Sequence, residues 1–200
     1  ILTIHDLAFD IFPEFSTRKS RWWHQSLRPR ALCEGATGII VPSQSTAQDL
    51  EERFGIAREK IHVIPHGVGE EFSSEKNPID EEVKRLYDLP ERFVLFIGDL
   101  DPRKNLLALI KAVDVYRRET EDNLHLVIAG KGSLNDSTTQ RLNDSIHFLG
   151  YVPANHRPSL YRLATTTAFP SVYEGFGFPI LESMASGTPV IASHTSSMPE

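Results

Sequence analysis

Two glutamates, Glu174 and Glu182, bracket the run Gly175-Phe176-Gly177-Phe178-Pro179-Ile180-Leu181. Glycines at 175 and 177 let backbone come close to a ligand. A helix opening near Pro179 leaves N–H groups between Phe178 and Leu181 without partners in the helix, and such groups hold a diphosphate. With Glu182 in the first turn of that helix and Ile180, Leu181, Met184 and Ala185 turned to the core, its carboxylate can reach a ribose hydroxyl. Glu174, at the tip of the preceding strand, can grip a substrate hydroxyl. The same residues meet a plainer requirement: an acid early in a helix complements its dipole, and a Gly-Phe-Gly turn need bind nothing. Position 180 is Ile, so the dinucleotide pattern G-x-G-x-x-G is not met, and no P-loop is present.

A second candidate is Gly98-Asp99-Leu100-Asp101-Pro102-Arg103-Lys104-Asn105. It follows a strand and opens a long helix. Asp101 and Asn105 are capping residue types, and Pro102 suits a first turn. Arg103 and Lys104 would add full charges to the positive end of the helix dipole, where phosphate is attracted. A capped helix with two solvated cations is the alternative for the same residues. The third candidate is His5-Asp6, at the carboxyl end of the first strand. There a histidine can orient a sugar hydroxyl or stabilise charge, or simply satisfy local hydrogen bonds.

These residues need strands and helices to carry them, and the chain supplies both in alternation. Strands are expected over 1–5, 38–41, 61–64, 93–97, 124–129, 146–149, 165–169 and 189–192. Helices are expected over 17–35 (disturbed by Pro29), 43–54 (stopped by Gly55), 80–87, 106–118, 133–142, 159–164 and 179–186. The apolar spacing of Leu106, Leu109, Ile110 and Val113 is helical, as is that of Ala47, Leu50 and Phe54. Unbroken β-then-α order predicts parallel sheets covered by helices. The polar, breaker-rich stretch from Glu70 to Pro78 reads as a linker. It predicts two doubly wound units with a cleft between them. Ligands of such sheets bind beyond the carboxyl ends of the strands, so the loops after Ile97, Ala129, Leu149 and Phe169 are the places to search.

Composition removes several classes. In 200 residues, 21 Lys+Arg against 27 Asp+Glu give a net charge of −6, which disfavours a nucleic-acid binder. Hydrophobic residues at 40% can bury a core, so disorder is excluded as the main state. The single Cys33 cannot form a disulfide framework; it reads as a buried, inert thiol and fits a reducing compartment. No apolar run approaches the length of a membrane span. The basic, aromatic stretch from Thr17 to Arg30 has two readings. It can be a surface helix with tryptophans packed inward and wet cations, or a contact with an anionic membrane.

Several segments together resemble the family 4 glycosyltransferases, retaining GT-B enzymes that use nucleotide-sugar donors. They are Ile4 to Phe9, Val41 to Thr46 with Asp49 and Leu50, Ile64 to Val68, Ile97 to Asn105, Leu126 to Gly130, Phe148 to Val152, Glu174 to Glu182, and Gly187 to Ile191. The opening His5-Asp6-Leu7-Ala8-Phe9, followed by Phe12-Pro13-Glu14, resembles the bacterial mannosyltransferase-like branch that builds surface polysaccharides. The fold implied is α/β, GT-B, with two Rossmann-like parallel-sheet domains facing a cleft. Residues 1–68 would be the last part of an acceptor-side domain, 69–91 a linker and connecting helix, and 92–200 a donor domain truncated at its C-terminus. The chain then reads as an internal piece of a longer one, its N-terminal domain incomplete and the isolated piece poorly active.

The resemblance also implies roles. Lys104 would contact the donor diphosphate, Glu182 the ribose, and Glu174 with the Gly175-Phe176-Gly177 backbone the donor sugar. His5 would sit near the anomeric centre, and the backbone at Tyr151 and Val152 would line the base pocket. Many members carry Arg after the glycine at 98, where this chain has Asp99. An acid there must turn away or change donor handling, and Arg103 is the candidate for the missing charge. Expected partners are the nucleotide sugar and a saccharide or lipid-linked acceptor, with no nucleic acid. No cofactor or metal is expected, the donor being a substrate, and the expected site of action is cytoplasmic or the inner membrane face. The competing functions are a non-catalytic nucleotide-sugar binding module or inactive remnant, and an epimerase of related architecture.

Overall fold

The computed structural model of the protein describes residues 1–15, 17–132 and 143–200. The helix expected over 133–142 lies outside the described residues. The chain divides into two compact units. The first holds residues 1–67, 172–177 and 194–200, and the second holds 68–171 and 178–193. Residues 69–91 therefore belong to the second unit by their contacts. The segments 172–177 and 194–200, expected with the donor domain, belong to the first.

In the first unit, β1 (Leu2–Thr3), β2 (Ile39–Val41) and β3 (Ile61–Val63) form a parallel sheet in that order. Helices α1 (Ala8–Ile11), α2 (Arg18–Leu27), α3 (Pro29–Gly35) and α4 (Gln44–Phe54) accompany it. The single helix expected over 17–35 is two. Pro29 has no N–H and crowds the residue before it, and Arg28 takes a left-handed φ of 48° at the break. Ser43 caps α4 by accepting from the Thr46 N–H at 3.1 Å, and Gly55 closes it at φ 68°. Ala47, Leu50 and Phe54 pack with Leu7, Cys33, Ile39, Val41 and Ile61. Burial, and then Glu34, push the Cys33 thiol pKa up, away from the thiolate.

The second unit contains α5 (Ile79–Leu86), β4 (Phe93–Ile97), α6 (Leu106–Thr120), β5 (His125–Ala129), β6 (Ile146–Gly150), α7 (Arg157–Leu163), β7 (Thr166–Phe169), α8 (Phe178–Ala185) and β8 (Val190–Ala192). Its sheet runs β6-β5-β4-β7-β8, all parallel. Because β4 is buried along its whole length, it reads as a continuous apolar run. Alternate side chains of β4 and β5 enter different cores. Leu95, Ile97 and Val127 meet Val83 of α5 and Leu160 and Tyr161 of α7, while Val94, Phe96 and Ile128 meet Leu106, Leu109, Ile110 and Val113 of α6. The chain adds β5 and β6 on one side of β4, then β7 and β8 on the other. That reversal is the topological switch at which sheets of this kind bind ligands.

Candidate functional site

At the carboxyl ends of the second sheet, the loops after β4, β5 and β6 converge. The Gly98 N–H donates to the Ala129 carbonyl (2.9 Å), Leu100 N–H to Lys131 (2.8 Å), and Gly130 N–H to Gly150 (2.8 Å). A Cβ on Gly130 would overlap the Gly98 carbonyl oxygen, so only glycine permits this approach. The loops enclose a pocket of about 540 Å³, lined by Gly98 and Asp99 after β4, Lys131 after β5, Tyr151 and Val152 after β6, and Arg157, Phe178, Pro179 and Glu182 from α7 and α8. Arg157 opens α7, and Phe178 and Pro179 open α8, so the positive dipole ends of two helices border the pocket.

Glu182 is the fifth residue of α8, not part of its first turn, because the helix begins at Phe178. Its carboxylate accepts from the Tyr161 hydroxyl at 2.6 Å. Burial, then the Glu182 charge and that hydrogen bond, hold the Tyr161 pKa well above its ordinary value, so the phenol keeps its proton and donates. Ile180, Leu181 and Ala185 are half-buried, but Met184, expected in the core, is 62% exposed. The inward position is Ser183, whose hydroxyl donates to Thr167 Oγ1 at 2.8 Å.

The second candidate segment differs in its capping. Asp101 caps a 3-10 turn over Pro102–Lys104 by accepting from the Arg103 N–H at 2.8 Å. Asn105 adopts a left-handed φ of 53° and makes no side-chain cap, and α6 starts after it. Lys104 Nζ stands 4.8 Å from the Phe169 ring centroid, putting this cation between the ends of β4 and β7. Asp99 lines the pocket. Among the described residues, the cations that line it with Asp99 are Lys131 and Arg157 rather than Arg103. Lys131 Nζ also lies 4.7 Å from the Tyr151 ring centroid.

A family profile described as Glycosyl transferases group 1 matches residues 79–200, and one described as Glycosyltransferase Family 4 matches residues 1–72. The chain belongs to the group 1 glycosyl transferases. It is 29% identical to the O-antigen chain mannosyltransferase B of Escherichia coli over all of its own length and 54% of the relative's. It is 34% identical to the serotype-specific mannosyltransferase WbdA of Escherichia coli over 84% of this chain and 22% of that protein. The chain thus spans about half the length of the first relative and less of the second. Among solved structures, HepE of Anabaena in complex with UDP and glucose matches with a TM-score of 0.74 at 21% identity, covering 98% of this chain and 53% of HepE. The two parallel α/β sheets are those of the GT-B fold.

In this member of the family the remaining expected residues lie in the first unit. Glu174 is 7% exposed; its N–H donates to Ser196 Oγ and its carbonyl accepts from Ser197 Oγ, both at 2.9 Å. A Cβ on Gly175 would overlap the His5 carbonyl, so this glycine brings the glutamate-bearing segment against the end of β1. The His5 ring stacks on His66 (5.6 Å), and Phe176 meets His66 edge-on at 5.0 Å. Gly177 takes a φ of 97°, which favours glycine. His5, Glu174, Gly175 and Phe176 thus gather in one unit. Tyr151, Val152, Phe178, Pro179 and Glu182 gather in the pocket of the other.

Sequence reasoning missed Tyr173, Lys131, Arg157 and the role of Gly130. Tyr173 donates to Asp49 Oδ2 at 2.6 Å and accepts from the Leu7 N–H at 3.3 Å, tying α4 to the segment after β1. Lys131 and Arg157 stand in or beside loops already marked by strand-end position, but nothing in their local pattern singled them out. Among the described residues no helix is long and apolar enough to cross a membrane.

Proposed function

We propose that the full-length protein transfers a hexose from a nucleotide sugar to a saccharide or lipid-linked acceptor, with retention of anomeric configuration, in surface polysaccharide synthesis. Mannose is the sugar named for both E. coli relatives. The observation carrying this reading is the pocket at the sheet's switch point, bordered by two helix starts, Lys131 and Arg157, with Glu182 held by Tyr161. Helix N-termini and cations suit a diphosphate, the Tyr151–Val152 wall suits a base, and the Glu182 carboxylate suits a ribose diol.

The bond between the anomeric carbon and the donor phosphate oxygen breaks while the acceptor oxygen bonds to that carbon on the same face. The acceptor proton passes to the departing phosphate. Positive charge develops on the sugar ring and negative charge on the diphosphate. Lys104 and the start of α8 are suited to stabilise the latter. Glu174 and His5 are assigned to the sugar on the motifs in which they stand.

Asp99 favours a second reading, a nucleotide-sugar binding module without turnover, because an acid lining the pocket opposes a dianion. One set of measurements on the full-length protein separates the two. Calorimetry with a panel of nucleoside diphosphates is expected to find one that binds, and to bind less well with Glu182→Ala. Labelled nucleotide sugars are expected to yield a glycosylated acceptor, with Lys104→Ala depressing turnover sharply. Binding without transfer selects the module; an altered nucleotide sugar formed without acceptor selects an epimerase; no nucleotide affinity refutes the pocket assignment.

A further inference from the structure

We infer, resting on the assignment of Glu174 to the donor sugar, that Glu200 is a positioning residue: with Ser196 and Ser197 it straps Glu174 to the start of α4. A helix opens with N–H groups that have no partner within it. In α4 the Thr46 N–H is taken by the Ser43 side chain at 3.1 Å. The two N–H groups before it are taken by one carboxylate. Gln44 N–H donates to Glu200 Oε2 and Ser45 N–H to Glu200 Oε1, both at 2.7 Å. The helix dipole favours an acid there, and two bonds to one carboxylate fix its orientation. The partners stand 156 and 155 residues apart in the chain, so this is a tertiary tie and not a local cap.

Short steps carry the tie to Glu174. Glu200 N–H donates to the Ser197 carbonyl at 3.1 Å. The buried Ser197 hydroxyl donates to the Glu174 carbonyl, and Ser196 Oγ accepts from the Glu174 N–H, so one segment holds both backbone groups of the glutamate. Helix α4 also reaches the residues on either side. Asp49 accepts from the Tyr173 hydroxyl at 2.6 Å, and the Thr46 hydroxyl donates to the Gly175 carbonyl at a longer 3.4 Å. Ser196 has a left-handed φ of 47°, which costs a serine energy. Glycine would take that backbone without strain but has no hydroxyl for Glu174. Strain kept at the residue that holds the glutamate points to a task of placement. Every residue of the strap belongs to the first unit, and none lines the nucleotide pocket of the second.

The test uses the full-length protein and calorimetry. GDP-mannose and UDP-glucose are the probes, each set against its free nucleoside diphosphate. The quotient of the two affinities reads the grip on the sugar alone. Glu174→Ala is expected to lower that quotient roughly 10- to 100-fold, and Glu200→Ala roughly tenfold, with diphosphate affinity unchanged in both. Glu200→Gln keeps one acceptor oxygen and should lose less. Ser196→Gly should lose about as much as Glu200→Ala, with a urea midpoint close to that of the unaltered protein because relieved strain offsets the lost hydrogen bond. Adding Glu200→Ala to Glu174→Ala should lower the quotient no further, since both act through one group. A quotient that falls with Glu174→Ala but not with Glu200→Ala or Ser196→Gly overturns this inference alone. Equal losses of sugar-nucleotide and diphosphate affinity in Glu200→Ala overturn it too, because the role would then be general stability. A quotient untouched by Glu174→Ala overturns the sugar assignment and the strap with it.

Discussion

Tyr161 and Glu182 are a buried phenol and a half-buried carboxylate 2.6 Å apart, and the carboxylate is the group assigned to the ribose. A charged hydrogen bond of this kind fixes one carboxylate oxygen and leaves the other to a ligand. Tyr161→Phe keeps the ring in its core and removes only the hydroxyl. It is expected to weaken nucleoside diphosphate binding roughly tenfold, matching a loss of about 1.5 kcal/mol. Calorimetry that finds no change would mean that Glu182 is not oriented from behind. Tyr173 presents the opposite case. Burial raises the Asp49 pKa, with the Tyr173 hydrogen bond and Arg53 acting against it. Tyr173→Phe leaves that acid without its donor and the Leu7 N–H without its acceptor, so a stability loss of about 1–3 kcal/mol in urea is expected. Neither tyrosine was legible as a partner. A hydrogen bond across 124 residues leaves no trace in local spacing, whereas Glu174 and Glu182 stand in one motif.

At the scale of elements, short apolar runs and helical spacing located strands and helices, because a parallel strand is buried on both faces and a covering helix on one. The β-then-α order supplied the parallel sheets, but not the order of the strands within them. What escaped was backbone detail. The break at Arg28, the 3-10 turn before α6 and the four-residue α1 depend on dihedral angles that composition only suggests. Gly130 shows how such detail reaches the site. Its φ is not in the left-handed region, so its need for glycine comes from the Gly98 carbonyl alone. Gly130→Ala must part the loops after β4 and β5, with an expected cost of about 1–3 kcal/mol from overpacking and a loss of nucleotide affinity, since both loops line the pocket. Gly35→Ala, at the end of α3 where an added Cβ meets nothing within 4 Å, is the control and should leave nucleotide affinity unchanged and stability equal or slightly raised.

Across the whole molecule, two side-chain pairs of the second unit make its stability depend on acidity in separate windows. His125 Nδ1 and His147 Nε2 lie 2.9 Å apart on adjacent strands. Burial first, then His147 and Arg117, lower the His125 pKa. The native state therefore binds fewer protons than the unfolded chain below about 6.5. This contribution is complete above that pH and is lost as the pH falls toward the folded value. Asp80 joins α5 to α7 through Arg162, which donates to its two oxygens at 2.6 and 3.0 Å. Burial would raise the Asp80 pKa, but the hydrogen bonds from Arg162, Ser159 and the Asn77 N–H, with the Arg162 charge, hold it below the ordinary value. Its contribution is intact above about 3.9 and disappears as the pH drops through the folded value. Urea melts from pH 7 downward should thus show one decline starting near neutrality and a second in acid. His125→Gln should flatten the first decline. Asp80→Asn should cost about 3 kcal/mol at pH 7, because a buried guanidinium loses its counter-charge, and should remove the second decline. A first decline of unchanged slope in His125→Gln would show that the histidine pair is not its source.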